Sequence, residues 1–193
     1  MLRGWKMPRC KNIDHELKII FLHPNRCGGK SIEKIIFGRE PKNGSADHSC
    51  PWHFVKKFGK DTWDTYYKFG FTRNPWDRVA SLYFYRKNNL RDFPFDNLYE
   101  YLKRGKEKFP LDFISQTKYF YYGNEPINFI GKVETYNNDY IREIQPKLKI
   151  TKKLPQLNRS KERTNYKDLF CRETKKIVEQ EFFDDISNFD YEF

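Results

Sequence analysis

Two short segments carry the residue types that bind anions and move groups between oxygens. The first reads His23-Pro24-Asn25-Arg26-Cys27-Gly28-Gly29-Lys30-Ser31. Adjacent glycines let a backbone approach a ligand closely and turn its N–H groups towards it. Arg26 and Lys30 add full charges, and a helix beginning at Ser31 would add the partial positive charge of its N-terminus. Together these make an anion cradle suited to phosphate or sulfate. Gly29-Lys30-Ser31 also matches the end of the nucleotide-binding pattern G-x-x-x-x-G-K-[ST]. The first glycine of that pattern falls at Pro24, where φ > 0 is closed, so a P-loop kinase or NTPase is the weaker alternative.

The second segment reads Arg73-Asn74-Pro75-Trp76-Asp77-Arg78-Val79-Ala80-Ser81. Asn74 as N-cap, Pro75 in the first turn and Asp77 at the third position make a strong helix start. At ~100° per residue, Asn74, Arg78 and Ser81 share one face, and Trp76, Val79, Ala80 and Tyr83 the opposite one. Arg73 precedes the cap and reaches over the same end. An arginine fork with a serine hydroxyl forms a second phosphate site; a capped surface helix with a solvated charged face fits the same spacing. Two anion sites imply a ligand with separate anionic groups.

The flanking elements place both segments. Ile19-Ile20-Phe21-Leu22 reads as a strand buried on both faces. Ile32, Ile35 and Ile36 then fall on one side of a helix. Tyr67, Phe69 and Phe71 alternate, which predicts a second strand over 67–72. A third strand is expected at 127–133, a helix at 138–145, and a last helix with Phe170, Ile177, Val178 and Phe182 on one face. Strands alternating with helices imply βαβ units and a parallel sheet, whose ligands sit beyond the carboxyl ends of the strands. Both segments lie there.

Composition bounds the rest. The chain has 193 residues, a length that favours one domain over 1–193, with 1–16 as a peripheral N-terminal segment. Aromatics at 18% argue against disorder despite the low mean hydropathy of −0.92. No run approaches the ~20 apolar residues of a membrane span, and residues 1–11 lack the apolar stretch of a secretory signal. Cys10, Cys27, Cys50 and Cys171 form no CxxC pair, so a zinc ribbon is unsupported and a reducing, cytoplasmic setting is the simpler expectation. The net charge of +11 fits an anionic partner or plain solubility, and a non-catalytic basic module binding glycan or nucleic acid is a further alternative.

The pair of loops resembles the nucleotide-binding signature of the sulfotransferases, above all the carbohydrate and heparan-sulfate-type families. Their Arg-Asn-Pro-x-x-Arg-x-x-Ser segment is matched by 73–81. Their Pro-Lys-x-Gly-Gly-[Thr/Ser] loop is matched in part by 24–31: Arg26 stands at the lysine, Lys30 at the hydroxyl residue, and Pro24 one place early. Phe129-Ile130-Gly131-Lys132-Val133-Glu134, Leu154 to Ser160 with Tyr166, and Asp184-Asp185 to Phe193 are similar to later family motifs in the same order. The likeness runs from about residue 17 to the C-terminus.

The resemblance implies an α/β, P-loop-like three-layer fold with a central parallel sheet flanked by helices. It implies sulfuryl transfer from 3′-phosphoadenosine-5′-phosphosulfate (PAPS) to an acceptor hydroxyl, expected on a saccharide, with no metal required and no need of nucleic acid to explain the charge. Arg26, Cys27, Gly28, Gly29, Lys30 and Ser31 would take the 5′-phosphosulfate, with Arg26 or Lys30 in the catalytic role of the family's lysine. Arg73 and Ser81 would take the 3′-phosphate, and Ser160 and Tyr166 would lie by the nucleotide. Transfer needs a base for the acceptor proton, and histidine has the pKa for that task near neutrality. By resemblance His48 holds that place. His53 and Glu33 are the alternatives.

Overall fold

The structure, a computed structural model, describes residues 9–39, 47–154 and 165–193. The apolar run Ile19–Leu22 forms a strand buried on both faces. It pairs in parallel with Tyr67–Thr72, with Ile19 opposite Tyr67 and Leu22 opposite Gly70. Ile13–Asp14 adds an antiparallel edge, and Phe129–Lys132 lies on the far side of Tyr67–Thr72. The result is a mixed α/β chain with a small, mostly parallel four-stranded sheet flanked by helices. Gly70 is required by close approach: a Cβ there would stand 2.4 Å from the Phe120 ring and 2.5 Å from the Leu22 carbonyl oxygen.

The described residues fall into two compact units. The first draws on 9–24, 28–39, 47–71 and 118–154. Its core joins Ile19, Phe21, Phe69 and Phe71 of the strands to Ile32 of the Gly29–Phe37 helix and to Tyr140, Ile144 and Leu148. Both faces of Tyr67–Thr72 are covered, so the alternation of its aromatics does not mark a solvent face. The third strand is shorter than its sequence suggests, Phe129–Lys132, and a separate hairpin before it pairs Tyr121 with Pro126. The helix expected at 138–145 runs from Tyr136 to Leu148 with a π-turn at Tyr140–Ile144. Pro146 follows that turn and has no N–H to continue a regular ladder.

The second unit draws on 25–27, 72–117 and 165–193. Its framework is the Pro75–Asn89 helix, packed with Leu98–Lys108, Arg172–Glu181 and Phe183–Phe189. The Asn74 side chain accepts from the N–H groups of Trp76 and Asp77, as its place before Pro75 predicts. Trp76, Val79, Ala80 and Tyr83 enter a core with Tyr101, Phe113, Val178 and Phe182. The expected last helix is broken at Phe182, and Phe170 precedes it. Both still reach the core, Phe170 from the extended residue before the Cys171 cap. No described helix is long and apolar enough to cross a membrane.

Candidate functional site

In the first unit, the Gly28-Gly29 turn leaves the Ile19–Leu22 strand and opens the Gly29–Phe37 helix. Gly28 holds φ +74°, a left-handed conformation costly for other residues. The Tyr136 ring lies over it, and the Tyr136 hydroxyl donates to the Gly28 carbonyl at 2.7 Å. Gly29 sits under the His23 ring, where a Cβ would come within 2.1 Å of ring atoms. Its N–H donates to His23 Nε2 at 3.1 Å, and the Ser31 N–H turns back to the Gly28 carbonyl. Two of the N–H groups expected to face an anion are therefore used inside the turn. Lys30 is half-buried in the first helical turn.

The bond from Gly29 makes Nε2 the acceptor of His23, so neutral His23 carries its proton on Nδ1. Nδ1 faces Glu33 Oε1 at 3.7 Å, both atoms buried. Burial raises the Glu33 pKa, but the neighbouring His23 ring, with Arg39 and Asn12, outweighs it and holds Glu33 below its ordinary value. Glu33 is thus an internal partner of His23. His48, half-buried, donates from Nδ1 to the His23 carbonyl at 2.7 Å, its ring 4.9 Å from that of His23. A carbonyl only accepts, so Nδ1 keeps its hydrogen and Nε2 is the basic nitrogen. This is the tautomer a general base needs.

His53 has another place. It stands at the third position of the Pro51–Phe58 helix, where Nδ1 accepts from the Cys50 N–H at 2.9 Å in a capping box. Nε2 is buried without a hydrogen-bond partner among the described residues, and the Trp52 ring stacks at 3.7 Å. Burial lowers the His53 pKa. The Cys50 thiol is pushed up to about 12 by burial.

In the second unit, residues 25–27 of the first loop meet 73–81 of the second. Arg26 Nε donates to Ser81 Oγ at 3.0 Å, and the Arg26 guanidinium lies 4.9 Å above the Tyr85 ring. Arg73 reaches the Arg26 carbonyl through Nη1 at 3.1 Å and grips Asp77 through Nε and Nη2, both at 2.8 Å. Burial first, and then the charge of Arg73, lower the Arg26 pKa. Arg78, on the helix face expected to form a second phosphate site or a solvated charged face, is fully buried. It donates to the carbonyls of Asn25 and Ile114 and lies over the Phe182 ring. These bonds tie the loop to the helix.

Two residues that sequence reasoning did not single out organise this region. Gln116, fully buried, accepts at Oε1 from Cys27 Sγ, Thr72 Oγ1 and the Arg73 N–H, and donates to the Arg73 carbonyl. Asp185, also fully buried, accepts from the N–H groups of Gln116 and Thr117 and from the hydroxyls of Ser115 and Thr117. Its Oδ2 lies 3.9 Å from Arg78 Nη1. Gln116 gives no signal in a polar stretch of sequence; Asp185 offers only its place in the closing motif. Tyr166 is half-buried against this unit's core, its ring 6.1 Å from that of Phe193. Ser160 lies outside the described residues. Among the described residues no group of three or more His, Cys, Asp or Glu could hold a metal ion. No family model, curated protein or solved structure matches the chain.

Proposed function

We propose that this protein is a sulfotransferase that moves a sulfuryl group from PAPS to an acceptor hydroxyl, the acceptor being a saccharide, on a P-loop-like three-layer scaffold. One observation carries the reading: residues of the two anion-binding motifs, far apart in sequence, are in direct contact, Arg26 on Ser81 and Arg73 on the Arg26 carbonyl. A donor with separate 5′ and 3′ anionic groups calls for two such motifs. The parallel pairing of Ile19–Leu22 with Tyr67–Thr72 supports the scaffold, since each motif follows one of two adjacent parallel strands.

In this reading Lys30 and the turn at Gly28–Ser31 receive the 5′-phosphosulfate, and Lys30 stabilises charge developing on the leaving phosphate. The second motif receives the 3′-phosphate. His48 Nε2 takes the acceptor proton, its tautomer set by the bond from Nδ1 to the His23 carbonyl.

The test is radiolabelled sulfate transfer from PAPS to a panel of glycans and small alcohols, beside thermal unfolding with 3′,5′-diphosphoadenosine or ATP. The expected result is label transfer, lost by about 10²–10⁴-fold in His48→Ala, with stabilisation by the bisphosphate well above that by ATP. Equal stabilisation by both nucleotides, or Mg²⁺-dependent ATP turnover without sulfate transfer, would overturn the reading.

A further inference from the structure

We infer that the phosphate-receiving group of the second motif is Arg26 with Ser81, and that Arg73, despite its place in the motif, is a positioning residue. The inference rests on the sulfotransferase reading only for the identity of the nucleotide. The ligand class is a phosphate monoester.

The two arginines are in opposite states. Arg73 has all three guanidinium nitrogens engaged: Nε and Nη2 on the Asp77 carboxylate, Nη1 on the Arg26 carbonyl. Its charge is matched by Asp77 in a bidentate pair, the geometry an incoming phosphate would have to displace. Arg26 uses Nε alone, on Ser81. Its two Nη nitrogens make no hydrogen bond among the described residues, and no described carboxylate forms an ion pair with it. It is half-buried next to a second arginine, so its charge is partly desolvated and repelled. An anion relieves both costs.

The backbone agrees. Arg26 holds φ +66°, a left-handed conformation that a side-chain-bearing residue rarely adopts. Such strain persists where surrounding contacts over-determine it. Here the bond from Arg73 to the Arg26 carbonyl and the bond from Arg78 to the Asn25 carbonyl fix the peptides on either side. Tyr85 lies against the guanidinium. Ser81 Oγ accepts from Nε, which leaves its hydroxyl hydrogen to be donated. Two Nη donors and one hydroxyl donor match the three terminal oxygens of a phosphate monoester. Arg73 sets the loop that presents them.

Two measurements separate this inference from the reading it refines. The first labels the wild-type protein with phenylglyoxal, with and without inorganic phosphate, and locates modified arginines by mass spectrometry. Phosphate is expected to protect Arg26 and to leave the Asp77-paired Arg73 unchanged. The second measures calorimetric affinities of adenosine 3′,5′-bisphosphate and adenosine 5′-phosphate for the wild type, Arg26→Gln and Asp77→Asn. The bisphosphate is expected to bind about ten- to a hundredfold tighter to the wild type. Arg26→Gln should erase that preference, and Asp77→Asn should keep it. Protection of Arg26 by phosphate without nucleotide binding would uphold the anion site and remove the nucleotide reading. Nucleotide binding without protection of Arg26, or equal weakening of both nucleotides by Arg26→Gln, would overturn the assignment to Arg26.

Discussion

His53 shows how one side chain's surroundings decide between chemistry and architecture. Its sequence context allows a base, yet its Nδ1 caps a helix and its Nε2 is buried. Burial lowers its pKa, the charge of Asp47 opposes in part, and the fold favours the neutral ring. A histidine whose folded pKa lies below the unfolded value of 6.5 contributes its full stability above pH 6.5. That contribution is lost as pH falls from 6.5 towards the folded value, since the unfolded chain then binds the proton more readily. His53→Gln keeps a cap acceptor at the third helical position, where glutamine serves naturally. The variant should unfold in urea with a flatter dependence on pH below 6.5 than the wild type. Identical slopes would show that His53 does not titrate in that window. His48, four residues before the Trp52 that stacks on His53, keeps Nε2 as its basic nitrogen because Nδ1 meets a carbonyl.

At the scale of elements, the second unit depends on polar ties between a turn and a helix that sequence places 68–70 residues apart. Asp185 of the Phe183–Phe189 helix satisfies two N–H groups and two hydroxyls of Ser115–Thr117. That turn carries Gln116, which in turn fixes Cys27 and Arg73. Asp185→Ala would strand those donors and leave buried Arg78 without its nearest carboxylate. The expected cost is about 3–5 kcal/mol of unfolding free energy by denaturant titration. Ser115→Ala, which removes one donor, should cost about 1 kcal/mol. Equal costs would show that Asp185 acts through the single serine contact. The helix at Pro75–Asn89 needs no such long-range tie at its start, because Asn74 caps it locally.

At the scale of the whole chain, the +11 charge is the property that acts everywhere. Some cations are held in defined pairs, Arg73 with Asp77, Arg86 with Asp112, Lys60 with Asp64 and Lys106 with Glu181, and the net +11 is the excess left when every carboxylate has been counted. The surplus repels itself across distances that salt screens, with a Debye length of about 30 Å at 0.01 M and 8 Å at 0.15 M. Sodium chloride raised across that range at pH 7 should therefore increase Tm in differential scanning calorimetry. A Tm that falls would show that attractive pairs outweigh the net repulsion.

The sequence by itself determined the local features: both parallel strands, the Asn74 cap, the glycine turn and the aromatic makeup of the cores. Each depends on neighbours within a few residues, where period, propensity and capping chemistry act directly. It also placed Arg78 by helical spacing on a polar face, and there only the tertiary structure could decide. A period says which residues share a face; it does not say what that face meets. Arg78 faces the carbonyls of Asn25 and Ile114, so a charged residue is part of the interior. For the same reason sequence could not see that Asp77 holds Arg73 or that Arg26 reaches Ser81. Those outcomes depend on which polar groups the folded chain brings within about 3 Å of one another, and a buried polar atom without such a partner is costly. Residues 47 or more apart are joined that way here only after the chain has folded.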